Sequence, residues 1–367
     1  MSVKVAKTNN PDPYAAADEL RTSLSGIKPV MVLFFASSIY GPDGISAAMK
    51  QAFPDSTVLG CSTAGEIISG HMLKNSVVAM AFDTGTIKGV HADTIPLDSI
   101  RSVDTTLNHL AGALDASPLS LDPERYVGLI LFDGLSGAEE STMERIGDLT
   151  NIQVIGGSAG DDLGFSATYV YLNGKAFTKT AIFAILEPSS RFDIIKTQSF
   201  CSLGKKLTPT KVDSATRKVL EFNGKPAAEA YAEAIGVSCT DASSHFMEYP
   251  VGLMADGEPF VRSPQRIDGD AICFYCQVRE GVDLDILSST DIISDTKKAV
   301  DEINAATPIA AIINFNCILR TLDLEQKGKT DEYGKIFSGI PTIGFSTYGE
   351  EYIGHINQTA TMLVFLK

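Results

Sequence analysis

The residues best suited to chemistry lie in a segment that the chain writes twice. Residues 60–71 read GCSTAGEIISGH and residues 344–355 read GFSTYGEEYIGH, so both fit G-x-S-T-x-G-E-x-x-x-G-H. Residues 154–162, VIGGSAGDD, are a shorter third version in which an apolar pair runs into glycine, a hydroxylic residue, glycine and an acid. Each reads as a buried strand that ends in a glycine turn. Glycine allows a positive φ and a close backbone approach, and such turns present N–H groups and hydroxyls together. Gly65 and Gly349 are the positions where a positive φ is expected. The same pattern also describes a plain tight turn between strands.

In a cradle of this kind, Ser62, Thr63 and Glu66, with their counterparts Ser346, Thr347 and Glu350, would hold a zwitterion. The hydroxyls and N–H groups would take a carboxylate, and the glutamates would accept from an ammonium. Gly157, Ser158 and Asp161 are the candidates in the third version, and Arg320 would add a bidentate carboxylate contact. In the alternative reading the glutamates cap neighbouring turns and Arg320 lies on the surface.

His71 and His355 end the two long copies and are candidate axial ligands to haem iron. No C-x-x-C-H is present, so covalent attachment is excluded and the cofactor would be haem b. The alternative is a hydrogen-bonded structural imidazole, and His91, His109 and His245 have weaker claims. Residues 156–160 match G-x-S-x-G literally. A nucleophile elbow needs a helix directly after the serine, and here a strand at 167–172 follows. Cys273 and Cys276 form a C-x-x-C inside an expected strand at 271–278, which reads as two core thiols. Cys61 is the one thiol placed in a glycine segment, and Cys61 or Ser158 as nucleophile is the competing, enzymatic reading.

The elements that must position these residues recur in the order α-β-α-β-β. First come a helix at 13–25, an apolar strand at 30–36, a helix from Asp43 ended by Pro54, and a strand at 76–82. The order returns with a helix at 100–116, a strand at 126–132, a helix at 137–150 and a hairpin turning at Asn173-Gly174. It returns again with a helix face of Ile292, Thr296, Val300 and Ile303, a strand at 308–315, a polar, partly helical stretch at 320–338 and a closing strand at 359–366. Residues 181–288 differ, since Asn223-Gly224, Asp256-Gly257 and Asp268-Gly269 punctuate short antiparallel strands around one helix at 226–235. The fold class expected is mixed α/β: pseudo-symmetric repeated units, with mixed sheets packed together and covered by helices.

The chain has 367 residues, 44% of them apolar, and a net charge of −15. Its length suits two domains. The acidity argues against nucleic acid as a partner. No apolar run reaches the ~18 residues of a membrane span, and the first residues lack the apolar stretch of a secretory signal. A cytoplasmic protein with reduced thiols is expected.

Six motifs carry a resemblance: GCSTAGEI from residue 60, LFDGLSG at 131–137, VIGGSAGDD at 154–162, NGKPAAEAY at 223–231, NCILR at 316–320 and GFSTYGEE at 344–351. In this order the chain resembles the FIST (F-box and intracellular signal transduction) family. The resemblance implies a lead-in helix over 1–29, a FIST N domain over 30–221 and a FIST C domain over 222–367. It implies a sensory module that binds a small molecule such as an amino acid; some bacterial members bind haem and report nitric oxide. The implied partner is a histidine kinase, a cyclic-dinucleotide enzyme or a chemoreceptor-type signalling protein, since no stretch is left for a kinase, a cyclase or an F-box. The expectation is a non-catalytic sensor. The alternatives are the enzyme above and a docking scaffold without a ligand.

Overall fold

The computed structural model describes residues 3–255 and 257–367. The chain divides into two compact units, the larger holding Met1–Lys196, Thr296–His355 and Ala360–Lys367, the smaller Thr197–Asp295 and Ile356–Thr359. In chain order come β1 (Val3–Thr8), α1 (Pro13–Ser23), β2 (Met31–Ser37), α2 (Pro42–Ala52), β3 (Thr57–Thr63), β4 (Glu66–Ile68), β5 (His71–Leu73), β6 (Val77–Phe82) and β7 (Ile87–Pro96). Then follow α3 (Arg101–Gly112), β8 (Val127–Phe132), α4 (Glu139–Leu149), β9 (Gln153–Ser158), β10 (Val170–Leu172), β11 (Lys175–Phe177), β12 (Thr180–Pro188) and β13 (Phe192–Gln198). β14 (Phe200–Leu207), β15 (Pro209–Asp213), β16 (Lys218–Phe222), β17 (Lys225–Pro226), α5 (Ala227–Ile235), β18 (Val251–Ala255), β19 (Glu258–Arg262), β20 (Pro264–Asp268), β21 (Ala271–Phe274) and β22 (Leu284–Ser289) come next. The chain closes with α6 (Ile292–Ala306), β23 (Ile309–Cys317), α7 (Ile318–Gln326), α8 (Thr330–Ile336), β24 (Thr342–Thr347), β25 (Glu350–Tyr352), β26 (His355–Ile356) and β27 (Thr359–Leu366).

The fold is mixed α/β, as the sequence implies. β2 shows why its apolar run is continuous: Met31, Leu33 and Phe35 enter one core, while Val32, Phe34 and Ala36 face α1 and α2 in another. A strand covered on both faces needs apolar residues at every position. α1 starts at Asp12, whose carboxylate accepts from Ala15 N at 2.8 Å, and buries Ala16, Ala17 and Leu20. The lead-in region also holds β1, which pairs antiparallel with β6. The sequence reading passed over this strand.

The larger unit has three sheets, ordered β1-β6-β2-β3-β10-β11, β26-β25-β9-β8-β12-β7 and β13-β27-β23-β24-β4-β5. Each is built on one parallel pair: β2 with β3, β8 with β9, β23 with β24. Residues from all three pairs meet in a single core. The hairpins are exchanged cyclically. β4-β5, which follows β3, joins the sheet of β24; β25-β26, which follows β24, joins the sheet of β9; β10-β11, which follows β9, joins the sheet of β3.

This topology corrects the reading of the repeated glycines. Gly60, Gly156 and Gly344 lie inside β3, β9 and β24 rather than in turns, and none has a left-handed φ. Each sits opposite Phe34, Ile130 and Asn314 in the parallel register. A Cβ there would lie 1.9, 1.8 and 2.2 Å from the facing carbonyl oxygens. Glycine is required for space. Of the two turn glycines, Gly65 has φ +126, as expected. Gly349 has no left-handed φ; a Cβ on it would lie 2.1 Å from His355 Cε1, so it too is glycine for space.

The smaller unit is antiparallel, with sheets ordered β14-β22-β18-β19 and β15-β16-β21-β20, and α5 packs Tyr231 into its core beside Phe222 and Ile272. β21 ends at Phe274, four residues short of the strand expected there, and Cys273 and Cys276 are both buried. In the Asp256-Gly257 turn, Asp256 lies outside the described residues, and Gly257 has φ +83. Among the described residues no helix is long and apolar enough to cross a membrane.

Gly60→Ala, Gly156→Ala and Gly344→Ala are expected to cost about 1–3 kcal/mol or more each through overpacking. Gly112→Ala, where a Cβ would meet nothing within 4 Å, should be neutral or stabilising. Urea midpoints of the four variants check this, and equal midpoints would contradict it.

Candidate functional site

The three glycine segments come together, and they bind each other. Ser346 N donates to Gly65 O at 2.8 Å, and Ala64 N donates to Ser346 O at 3.3 Å. Ser158 N donates to Gly349 O at 2.8 Å, and Tyr348 N to Ser158 O at 3.0 Å. Gly160 N donates to Ser62 O at 3.0 Å, closing the circle, while Ser62 N donates to Tyr169 O at 2.9 Å. Each serine therefore clasps a chain segment arriving from another repeat.

The side chains singled out from the sequence are used within this clasp. Ser62, Thr63, Glu66, Ser158, Ser346, Thr347 and Glu350 are all buried. Ser62 Oγ donates to Gly160 O at 2.8 Å and accepts from Tyr169 N at 3.0 Å. Thr63 donates to Glu66 and Thr347 to Glu350, the same bond in both long copies. Glu66 also accepts from Ser76 N at 3.1 Å and Ser76 Oγ at 2.6 Å. Burial pushes its carboxyl up, Ser76 and Thr63 pull it down, Asp162 adds to the rise, and the balance is about 7. Gly157 is pinned beside Thr347, whose Cγ2 would be 2.7 Å from a Cβ there.

Ser158 Oγ lies 3.3 Å from Glu139 Oε1 and 3.4 Å from Glu351 Oε1, and Glu351 Oε1 lies 2.9 Å from His355 Nδ1. The carboxylate stands between serine and imidazole. A hydrolase needs the imidazole in the middle, as the base that takes the hydroxyl proton, so this order does not activate Ser158. No helix follows Ser158, as the sequence implies. Cys61 is fully buried, and burial pushes its thiol well up, away from thiolate.

Haem b fits these residues poorly. An axial imidazole needs a nitrogen open to a porphyrin-sized space. His355 is 6% exposed, engaged by Glu351 and packed against Gly349. His71 is exposed at the start of β5, its backbone beside Gly334. Among the described residues no three His, Cys, Asp or Glu side chains gather to hold a metal.

Beside the clasp, at the C-terminal end of β8, lies a cavity of about 330 Å³. Four segments wall it: Leu97 and Asp98 after β7, Asp133, Leu135 and Ser136 after β8, Ser166 to Thr168 after β9, and Thr178 with Lys179 before β12. Open α/β sheets bind ligands at this end of parallel strands, and the volume falls within the ~300–1,000 Å³ range of small-molecule sites. Buried Asp133 stitches the walls together: it accepts from Leu135 N at 3.1 Å, from Thr168 Oγ1 and from Lys179 N. Lys179 and Asp98 are exposed, and neither enters a described ion pair.

Asp161 builds the loop that closes one side. Its carboxylate accepts from Phe165 N at 2.9 Å, Ser166 N at 2.7 Å, Ala167 N at 3.1 Å and the Tyr348 hydroxyl. Burial alone would raise its pKa, yet these donors hold it below the ordinary carboxylate range. Asp162, Leu163, Phe165 and Lys179 have φ of +53, +66, +47 and +48. Left-handed non-glycine residues gather where function overrides backbone preference. Tyr348 stacks on Phe165 at 5.1 Å and so ties this loop to the third repeat. The sequence reading missed the cavity wall; its one signal was LFDGLSG, which holds Asp133, Leu135 and Ser136.

The cavity has cationic, anionic and hydroxyl groups on its wall and no histidine or cysteine. The FIST N domain matches residues 30–225 and the FIST C domain residues 227–352. The chain belongs to the FIST family, whose domains are sensory domains of signal transduction and are generally non-enzymatic. It is also similar to the uncharacterized protein MJ1623 of Methanocaldococcus jannaschii, 23% identical over 300 residues, which cover 75% of this chain and 57% of that protein. The chain thus spans little more than half of that relative's length.

His355 tests the charge assignments. Burial opposes its charged form, but Glu351, with Glu139 and Glu140, raises its pKa from 6.5 to about 9. A folded-state pKa above the unfolded value gives stability that is present below pH ~6.5 and lost as pH rises towards ~9. Glu66, raised to about 7, loses its share over pH ~4.5 to ~7 by the same sign. Urea midpoints of the wild type should fall across each window, and His355→Gln and Glu66→Gln should each flatten their own. An unchanged slope in either variant would contradict the assignment.

Proposed function

We propose that this chain is a sensory module that binds a small polar molecule in the cavity at the end of β8 and acts on a separate signalling partner. The carrying observation is the cavity itself, with Lys179 and Asp98 uncommitted at its rim and hydroxyls of Ser136, Ser166 and Thr178 on its wall. A carboxylate suits Lys179 and the hydroxyls, an ammonium suits Asp98, and an amino acid carries both. In this reading Ser62, Thr63, Gly65, Glu66, Gly157, Ser158, Ser346, Thr347, Gly349 and Glu350 form the frame, and Asp161 shapes the wall. Haem is not part of the proposal, because the surroundings of His71 and His355 do not support it.

The partner proposed is a histidine kinase, a cyclic-dinucleotide enzyme or a chemoreceptor-type protein, the classes that the family resemblance suggests. A cytoplasmic setting accords with six free thiols.

Thermal unfolding against a panel of amino acids tests the reading. A ligand at ~100 times its Kd adds ~2.7 kcal/mol to stability, without turnover. Lys179→Met, which removes a charged contact worth ~1.5–3 kcal/mol, should weaken that ligand on the order of 10-fold or more. A ligand whose affinity ignores Lys179→Met, Asp98→Asn and Ser136→Ala would refute this cavity as the site. No shift with any amino acid would favour the docking scaffold instead.

A further inference from the structure

The three parallel pairs differ at one layer. On the helix-covered side of β2 and β8, the residues facing the glycine and the serine of the next strand are Phe34 and Ala36, and Ile130 and Phe132. These belong to apolar cores. In β23 the same two positions are Asn314 and Asn316, both fully buried. Arg320, at 2% exposure, and Tyr333, at 0%, join them.

The layer is one network. Arg320 Nε donates to Asn316 Oδ1 at 3.0 Å and Nη2 to Thr296 Oγ1 at 2.8 Å. Tyr333 Oη donates to Asn316 Oδ1 at 3.0 Å and accepts from Asn314 Nδ2 at 3.2 Å. Asn316 Nδ2 donates to Thr321 Oγ1 at 3.0 Å, and that hydroxyl lies 2.7 Å from Ser346 Oγ. Two atoms are left over: Arg320 Nη1 and Asn314 Oδ1 are buried without a hydrogen-bond partner. Among the described residues, Arg320 is in no ion pair.

A guanidinium stays charged, so it cannot escape burial by losing its proton. Burying a charge without its counter-charge costs several kcal/mol, and a buried polar group left unpaired costs more. The sibling pairs fill this layer with apolar side chains, so the fold does not demand the arginine. We propose that the layer is a binding site for a small monovalent anion, a halide or the carboxylate of a one- or two-carbon acid, taken by Arg320 Nη1. The site is separate from the cavity at β8. With every neighbour buried, the anion is admitted by breathing of α7 and α8 rather than by docking from solvent.

The test is thermal unfolding at constant ionic strength, with sodium gluconate replaced stepwise by chloride, bromide, formate or acetate. Gluconate is too large to enter. The wild-type midpoint should rise and saturate with chloride and bromide if the anion is a halide, or with formate and acetate if it is a carboxylate. Arg320→Met should lose the rise while being at least as stable as wild type in gluconate. Asn314→Leu, which installs the apolar type of the sibling strands, should reduce the rise and guards against failure of Arg320→Met to fold. A midpoint that responds alike to all five anions, or a saturating rise that survives undiminished in Asn314→Leu or in a folded Arg320→Met, would overturn the site.

Discussion

The constraint on which the larger unit depends is the approach of one strand's backbone to its parallel neighbour at Gly60, Gly156 and Gly344. With no Cβ at these points, each second strand can lie against the carbonyl of the first. It can then pass straight on into the next sheet, where its hairpin pairs. Three such crossovers, clasped through Ser62, Ser158 and Ser346, close a ring around one apolar core. Each sheet is completed by a strand from another repeat, so no repeat buries its core alone. This is the logic of repeat architectures bent into a circle.

The polar residues of the glycine segments follow from that closure. Where strands leave one sheet for another, the regular ladder ends and backbone groups are buried without ladder partners. Ser62 supplies both a donor and an acceptor there, to Gly160 O and Tyr169 N. Thr63 with Glu66, and Thr347 with Glu350, satisfy each other in the same way in two copies. Such networks are costly unless complete and specific when complete. The ring therefore fixes the strand ends firmly, and the loops beyond them can adopt unfavourable backbone angles. Lys179, with φ +48, lines the β8 cavity, and left-handed Asp162, Leu163 and Phe165 lie in the loop that leads into its Ser166 to Thr168 wall.

Much of the architecture was legible because it is local. The apolar run of β2 announced a doubly covered strand, and Ile45, Ala48 and Met49 a helix face. The repetition itself was visible in seven shared residues. What could not be read was the use of the glycines, since residue type does not distinguish a need for positive φ from a need for space: Gly65 has the first, Gly349 the second. Exchange of hairpins is nonlocal, and nothing in residues 66–73 says that they pair with 342–347. β1 escaped notice because it is a short edge strand whose Lys4 and Lys7, three apart, break the apolar alternation. The cavity escaped for a similar reason: Asp98, Ser136, Ser166 and Lys179 come from four separated loops, and each alone is an ordinary turn residue. Arg320, readable as a surface cation, is buried because β23 offers it asparagines instead of apolar neighbours.

A frame that closes by backbone clasps and a cavity carried by strained loops make a sharp contrast in local stability. Native-state hydrogen exchange resolved to single amides measures that contrast directly. The account predicts that the amides of Ser62, Ser158, Ser346 and Tyr348 exchange only through global unfolding, while those of Leu163 to Ala167 open at lower free energy. Exchange of the serine amides by local opening, at the rate of the cavity loop or faster, would contradict it.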